Sequence, residues 1–304
     1  MVLDEEGNGD GLIQRGERLS LGARITNVGE GDASGLLATI KNESGEDVYI
    51  RSGRRKLEGL KVGQSISTTF DLDVREGLRT QDVQLHLAVM DPERRVWTRS
   101  DISLPVFPLD FPPAEKASGF VVPSDGRITA FAGAHEETEA VATIESAAAL
   151  PVLAHAGRWI RVRLAPGEDP LDTGWVKVGR TTHTEDVDKP SYVGITRLTG
   201  LQPPALTLSG ELTSNLVTRE DTLEIAGEVL YTDSSDGRRQ LYVFVGDDKV
   251  FLMTSSEEEA SAGAVPFSTS VELEEGANAI TIVAREGGDD LTRRRVVVFR
   301  QSAR

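Results

Sequence analysis

The sequence contains no cysteine, which excludes disulfide bonds, thiolate metal ligands and cysteine nucleophiles. No run approaches about 18 apolar residues, so we expect no membrane-spanning helix. The first residues, from Met1 to Asp4, also lack the basic-then-apolar pattern of an export signal. We therefore expect either a cytoplasmic chain or a segment cut from a longer protein.

Basic residues are outnumbered, with 33 Lys and Arg against 49 Asp and Glu, so the net charge is -16. A chain this acidic repels phosphate backbones and anionic lipids, and we expect no nucleic-acid partner and no membrane insertion. The 304 residues are 38% hydrophobic, which is enough for ordinary hydrophobic cores. At about 100–200 residues per domain, this length indicates two or three domains.

The hydrophobic residues recur with a period of two. In residues 18–26, every second residue from Leu19 to Ile25 is apolar, which predicts a strand with one buried face. The same alternation recurs in residues 64–74 and 83–89. Turn sequences separate these runs and no long helical pattern intervenes, so an antiparallel β-sandwich is predicted.

Two proline-containing connectors, residues 104–116 and 188–204, divide the chain into three predicted domains: 1–110, 117–199 and 205–304. Alternation in the first and last segments predicts sandwiches of immunoglobulin size. Five short runs in the middle segment predict a small barrel. They are residues 127–131, 140–144, 149–154, 159–164 and 174–178. Residues 255–263, which contain three consecutive glutamates, are expected to form a solvated loop.

The strongest chemical signal is a twelve-residue stretch that begins at Glu6 and has the oxygen spacing of a calcium loop. Oxygen-bearing residues alternate along it, a glycine stands where the chain must turn sharply, and a glutamate ends it. The predicted calcium ligands are Glu6, Asn8, Asp10, the carbonyl of Leu12, Gln14 and Glu17.

Two departures from the usual calcium loop affect this prediction. Position one is Glu6 rather than aspartate, so Asp4 or Glu5 could substitute for it. A strand follows the loop and no helix can precede it, which indicates a structural ion that staples the N-terminal lead-in to the first strand at Glu17. The alternative is an acidic, glycine-rich turn that needs no metal.

The loop and the strand that follows it, up to Gly31, resemble bacterial adhesion-like sandwich domains of the CARDB kind. The match spans residues 4–106, and it implies extracellular or periplasmic display. The middle segment resembles bacterial SH3-like domains through residues 158–162 and 174–178, although the usual opening motif is degraded at residues 129–134.

The last segment resembles bacterial immunoglobulin-like domains through residues 273–280. Modules in this order resemble the accessory C-terminal part of a carboxyl-terminal processing serine peptidase. We found no nucleophile elbow, phosphate-binding loop or zinc-binding HExxH motif, and the four histidines are scattered, so we expect no catalysis by this chain.

A local basic stripe accompanies two tryptophans of the middle segment. We predict that this stripe and the tryptophans form a groove for an anionic peptide or glycan. The predicted groove residues are Arg158, Trp159, Arg161, Trp175 and Lys177. The alternative is that both tryptophans fill the core of the barrel.

The predicted fold class is thus all-β, with two Ig-like β-sandwiches flanking a small SH3-like barrel. The predicted function is a calcium-stabilised, non-catalytic, multidomain binding or spacer region of a secreted, periplasmic or cell-surface protein. Its partner would be a protein or a cell-wall component. The alternative function is an accessory region of a secreted serine peptidase that positions substrate or mediates assembly.

Overall fold

The computed structural model describes residues 1–4, 7–29, 31–124, 126–184, 189–198, 204–209, 212, 216–231, 238–261, 263–286 and 290–302. Strands dominate these residues, which confirms the predicted all-β class. A short helix, α1 (Glu257–Ser261), lies where the sequence predicted a solvated loop. It forms because Ser256 caps it, with Glu259 N–H donating to Ser256 Oγ and Ser256 N–H donating to the Glu259 carboxylate. No helix in the described part of the chain is long and apolar enough to cross a membrane.

The first segment is a sandwich of two sheets. Its strands are β1 (Val2–Leu3), β2 (Ile13–Gln14), β3 (Arg18–Thr26), β4 (Ala33–Asn42), β5 (Val48–Ser52), β6 (Arg54–Leu60), β7 (Ser65–Val74), β8 (Asp82–Asp91) and β9 (Val96–Phe107). One sheet has the order β1-β3-β7-β5, and the other contains β9-β8-β4-β6. The predicted alternation is confirmed, since Leu19 of β3 pairs with Leu72 of β7, Leu21 pairs with Phe70, and all four face the core.

The middle segment forms one sheet around its own core. Its strands are β10 (Glu115–Lys116), β11 (Phe120–Pro123), β12 (Arg127–Phe131), β13 (Ala140–Glu145), β14 (Leu150–Ala156), β15 (Trp159–Arg163), β16 (Thr173–Lys177), β17 (Thr181–Thr184) and β18 (Ile195–Arg197), with a 3₁₀ turn at Val178–Arg180. The order is β17-β11-β14-β15-β16-β12-β13-β18, and β10 pairs with β14. All five predicted strands are present within two residues of their predicted bounds.

The last segment is again built from two sheets. Its strands are β19 (Ala205–Leu208), β20 (Leu216–Thr218), β21 (Thr222–Leu230), β22 (Arg239–Val245), β23 (Asp248–Ser255), β24 (Val265–Glu272), β25 (Gly276–Glu286) and β26 (Asp290–Arg300). One sheet has the order β19-β21-β24, and the other contains β23-β22-β25-β26.

The first and last segments share a sheet, which the sequence did not predict. Strand β26 pairs antiparallel with β9, from Leu291 opposite Arg99 to Arg294 opposite Val96. The result is one sheet of order β23-β22-β25-β26-β9-β8-β4-β6. Because this pairing covers two strand edges that would otherwise be exposed, it joins the two sandwiches through backbone hydrogen bonds.

The middle segment docks on the outer face of β3. Arg24 of β3 bridges Asp169 and Asp172, at 2.9 and 2.8 Å, and Arg197 reaches the same Asp172 carboxylate at 2.5 Å. Leu171 lies against Gly22, where any Cβ would collide with the leucine side chain. The missing side chain at Gly22 therefore allows the two segments to approach closely.

We predict that Phe70→Ala destabilises the first sandwich by about 3–5 kcal/mol, because the ring is fully buried and its removal leaves a cavity. Urea denaturation of the whole chain measures this change. Tyr49→Ala, on the neighbouring strand and 57% exposed, is the matched control and should change stability by less than about 0.5 kcal/mol. Equal losses in the two variants would contradict the placement of the core.

Candidate functional site

The predicted calcium loop leaves one sheet of the first sandwich and returns on the other. Before the loop, β1 pairs antiparallel with β3, and after it β2 pairs parallel with β9, so both ends are fixed. Between them, Gly9 and Gly11 have φ angles of +79° and +73°, which an L side chain rarely adopts. The glycines therefore wind the loop tightly, as the sequence predicted.

Asp4, just before this loop, and Asp10 within it carry buried carboxylates, and Glu17 at the end of the loop is half-buried. Asp10 is fully buried and Asp4 is only 5% exposed. Asp4 Oδ2 accepts a hydrogen bond from Gly9 N–H, but Asp4 Oδ1 has no hydrogen-bond partner among the described residues. A Cβ on Gly7 would collide with Asp4 Oδ1 and would lie 3.1 Å from Glu17 Oε1, so both oxygens face the same small space.

The electrostatics of this carboxylate cluster are unfavourable without a cation. Burial, aided by the charge of Asp10, raises the pKa of Asp4 to about 6. Burial also raises the pKa of Glu17 to about 7, and the charges of Asp4 and Asp10 contribute in the same direction. The pKa of Asp10 is raised by burial as well. A divalent cation would relieve both the desolvation and the mutual repulsion, so the residues present fit calcium.

The amide residues of the loop orient these carboxylates. Asn8 Oδ1 accepts Asp10 N–H at 3.0 Å, and Asp10 Oδ1 accepts Leu12 N–H at 2.8 Å. Glu17 Oε2 accepts Gln14 N–H at 2.9 Å, and Asn8 Nδ2 donates to Gln14 Oε1 at 2.9 Å. The side chains of Asn8, Asp10, Gln14 and Glu17 thus belong to one network, and Leu12 enters it through its backbone.

Glu6, the first predicted ligand, lies outside the described residues. Asp4, which the sequence offered as a substitute for it, carries a buried carboxylate. As the side chains stand, no three His, Cys, Asp or Glu groups of the described chain are close enough to share one ion. A bound calcium would therefore draw Asp4, Asp10 and Glu17 together and complete its coordination with amide and backbone oxygens.

The loop also contacts the middle segment, which the sequence did not indicate. Asp10 O accepts a hydrogen bond from Ala134 N–H at 2.9 Å, and Asn8 O accepts one from Ala114 N–H at 2.8 Å. A Cβ on Gly11 would lie 3.2 Å from Trp175 Nε1. The candidate calcium site therefore lies at the junction of the first and middle segments.

Part of the predicted ligand groove is brought together on the middle segment. A cavity of about 550 Å³ contains Arg158, Trp159 and Lys177 of the predicted set. Its other lining residues were not part of the predicted groove: His135, Glu136, Val178, Gly179 and Arg180. We call this cavity the Trp159 groove. In the sequence, the polar residues His135 and Glu136 directly follow the small residues Gly133 and Ala134. This pattern is the local signal for a turn that presents polar side chains to the groove.

Two predicted groove residues lie elsewhere, which corrects the sequence analysis. Trp175 is only 2% exposed and clusters with Ala134 and Ala156 under the calcium loop, because it fills the junction between segments. The Arg161 guanidinium donates to Thr173 Oγ1 at 3.3 Å and does not line the groove. Trp159 belongs to the same buried cluster, so both tryptophans are buried in hydrophobic space that is separate from the main core cluster of the middle segment.

The Trp159 groove is polar at its rim and aromatic at its base. Lys177 Nζ lies 5.6 Å from the centroid of the Trp159 ring and forms an ion pair with the Glu136 carboxylate. The hydrogen bond from Lys177 lowers the pKa of Glu136. Arg158 and Arg180 are exposed at the same rim. The groove thus offers cations to an anionic group.

In the metal-free protein we predict that stability falls as the pH rises from about 4 to about 7. The carboxyls of Asp4 and Glu17 have pKa values above those of an unfolded chain, so the folded state binds more protons in this range. After a discount for solvent screening, the loss is roughly 2 kcal/mol.

The measurement is urea denaturation in EGTA at pH 5 and pH 7.5, compared between the wild type and Glu17→Gln. The variant should lose much less stability over this interval, because one repelling charge is gone. An identical pH dependence in both proteins would contradict the carboxylate cluster.

No protein-family model matches the sequence, and no curated protein matches it. Among solved structures, the fibronectin(III)-like modules of CbhA from Clostridium thermocellum share 14% identity, with 72% of this chain and 86% of that chain covered and a TM-score of 0.26. That score is too low to argue for fold or function. The all-β architecture therefore rests on the strands described above, and the CARDB, SH3-like and peptidase resemblances stay predictions.

Proposed function

We propose that this chain is a non-catalytic, calcium-stabilised binding and spacer region of a secreted or envelope protein. The observation that carries the proposal is the burial of the Asp4 and Asp10 carboxylates near the half-buried Glu17, with one oxygen of Asp4 lacking a hydrogen-bond partner among the described residues. Uncompensated buried carboxylates are costly, and a hard cation is the ligand that such an oxygen set prefers.

In this proposal the ion is held by the carboxylates of Asp4, Asp10 and Glu17, with further oxygens from Asn8, Gln14 and the Leu12 carbonyl. When bound, calcium supplies positive charge and a fixed coordination shell. Glu17 immediately precedes β3, so the ion would tie the N-terminal loop to the first strand of the sandwich. Because the folded loop binds calcium and the unfolded chain does not, the ion stabilises the fold by mass action.

The proposed secreted, periplasmic or cell-surface compartment rests on the resemblance of the first segment to displayed bacterial sandwich domains. Calcium sites of extracellular modules have Kd values of about 10⁻⁴–10⁻³ M. The millimolar calcium outside the cell would fill a site of that strength.

The spacer role is supported by the way in which the segments are joined. The pairing of β9 with β26 makes one sheet of two sandwiches, and the ion pairs from Arg24 to Asp169 and Asp172 fasten the middle segment to the first. Such joints limit relative motion of the segments. The Trp159 groove is the surface at which we propose that a protein or cell-wall component binds.

We predict that calcium raises the melting temperature of the wild type by roughly 4–10 °C. At a Kd of about 10⁻⁴ M, about 2 mM free calcium stabilises the folded state by about 2 kcal/mol. Thermal melting with calcium or EGTA measures the shift, and titration calorimetry measures the binding heat. Asp10→Asn and Glu17→Gln should each abolish most of the shift.

Glu93→Gln is the matched control, because Glu93 is an exposed carboxylate in a turn of the same sandwich. This variant should keep the full calcium shift. A wild type with no binding heat and no shift would overturn the calcium site. An equal shift in the Asp10, Glu17 and Glu93 variants would place the ion elsewhere.

A further inference from the structure

We infer that the Trp159 groove binds an acidic peptide segment and that calcium in the N-terminal loop strengthens this binding by fixing one wall of the groove. The inference rests on the calcium site of the proposed function and adds the ligand class of the groove and its regulation. It is carried by two sets of contacts, one inside the groove and one behind its wall.

The groove contacts favour a carboxylate ligand. Lys177 already forms an ion pair with the Glu136 carboxylate, so a carboxylate fits at this position and a ligand carboxylate can take the place of Glu136. Arg158 and Arg180 supply further positive charge at the rim. Complementary charge of this kind selects an acidic partner.

The aromatic base of the groove favours a peptide over a glycan. Trp159 is only 9% exposed. Phe131 packs against it in a T-shaped arrangement with ring centroids 5.7 Å apart, and Lys177 extends over its ring. Sugar binding by stacking needs an open aromatic face, and Trp159 offers little of one. An acidic peptide with an apolar side chain matches a charged rim around a lining that is largely apolar.

One wall of the groove is the turn of residues 132–138, which carries His135 and Glu136. The back of this turn lies directly on the calcium loop. Ala134 N–H donates to Asp10 O at 2.9 Å. A Cβ on Gly133 would lie only 2.5 Å from Gly11 O and 2.9 Å from Leu12 Cδ2. Because the turn and the loop are in direct contact, a displacement of the loop would also displace this wall of the groove.

The His135 ring is held by a second set of contacts that also depends on the loop. It packs on Phe107 and Phe111, with ring centroids 4.8 and 5.6 Å apart. Phe107 ends β9 and is paired with Gln14 of the loop in the parallel β2–β9 bridge. The loop thus supports the wall both directly and through the aromatic connector.

Asp10 is the residue that links the two sites. Its carboxylate belongs to the calcium cluster and its carbonyl oxygen holds Ala134. Calcium bound to the Asp10 carboxylate would hold the Asp10 carbonyl oxygen, and the wall behind it, more firmly than the hydrogen bonds of the loop do alone. Without calcium, peptide binding has to order the wall, which weakens the affinity. Coupling between two such sites is typically about 5- to 150-fold and is reciprocal.

The first test is hydrogen–deuterium exchange of the whole chain with calcium and with EGTA. We expect calcium to slow exchange at residues 7–14 and at residues 132–138. In Gly133→Ala, whose new Cβ separates wall from loop, calcium should still slow exchange at residues 7–14 but no longer at residues 132–138. Gly35→Ala, whose Cβ meets only Leu57 O at 3.9 Å, is the matched control and should behave as the wild type.

The second test uses a blocked peptide of sequence Gly-Glu-Leu-Glu-Gly and a control peptide with glutamine in both glutamate positions. We expect calcium to tighten binding of the acidic peptide by about tenfold, measured by calorimetry. Lys177→Gln should weaken it and Glu136→Gln should tighten it, each by about 3- to 10-fold. Gly133→Ala should bind the peptide equally with and without calcium.

The outcomes separate this inference from the calcium site itself. In one outcome, calcium releases binding heat and slows exchange at residues 7–14, yet leaves exchange at residues 132–138 and peptide affinity unchanged. That result would overturn the inference and leave the calcium site standing. If calcium binding released no heat, both the inference and the calcium site would be overturned. Equal affinity for the acidic and glutamine peptides, or retention on purified cell wall without peptide binding, would overturn the ligand class.

Discussion

Burial of carboxylates at the N-terminal loop is the constraint that links the chemistry of the first sandwich to its fold. Asp4 and Asp10 are buried, Glu17 is half-buried, and burial raises the pKa of all three carboxyls. The strand pairings on either side of the loop hold these residues and also define the first sandwich. A bound cation would offset the cost of burying these carboxylates and would tie the loop to the first strand. Calcium binding and the stability of the first sandwich would therefore be linked.

The same loop connects the chemistry of the first segment to the middle one. Backbone carbonyls of Asn8 and Asp10 accept hydrogen bonds from Ala114 and Ala134, and Trp175 closes the junction below them. These are short, directional contacts made by small residues, so a shift of the loop is transmitted to the turn behind the Trp159 groove. The last segment is joined differently, through the sheet shared by β9 and β26.

Local patterns in the sequence predicted much of this structure. Alternation of apolar and polar residues identified β3, β7 and β8 and the five central strands of the middle segment, because each strand exposes one face to a core. The spacing of oxygen-bearing residues predicted a calcium loop, since the ligands of such a loop lie within a few residues of one another. Helix α1 was missed although its capping box, Ser256 followed three residues later by Glu259, is a local signal in the sequence.

The sequence by itself determined the all-β class, the strand faces and the candidate ligands Asn8, Asp10, Gln14 and Glu17, all of which follow from short-range periodicity and spacing. Tertiary structure decided that Asp4 supplies the buried carboxylate, that Trp175 fills a junction instead of a groove, and that β26 extends the sheet of the first sandwich. These features depend on contacts between residues far apart in the chain. Such contacts leave no periodic signature in the sequence, because burial and strand neighbours are fixed only when the whole chain folds.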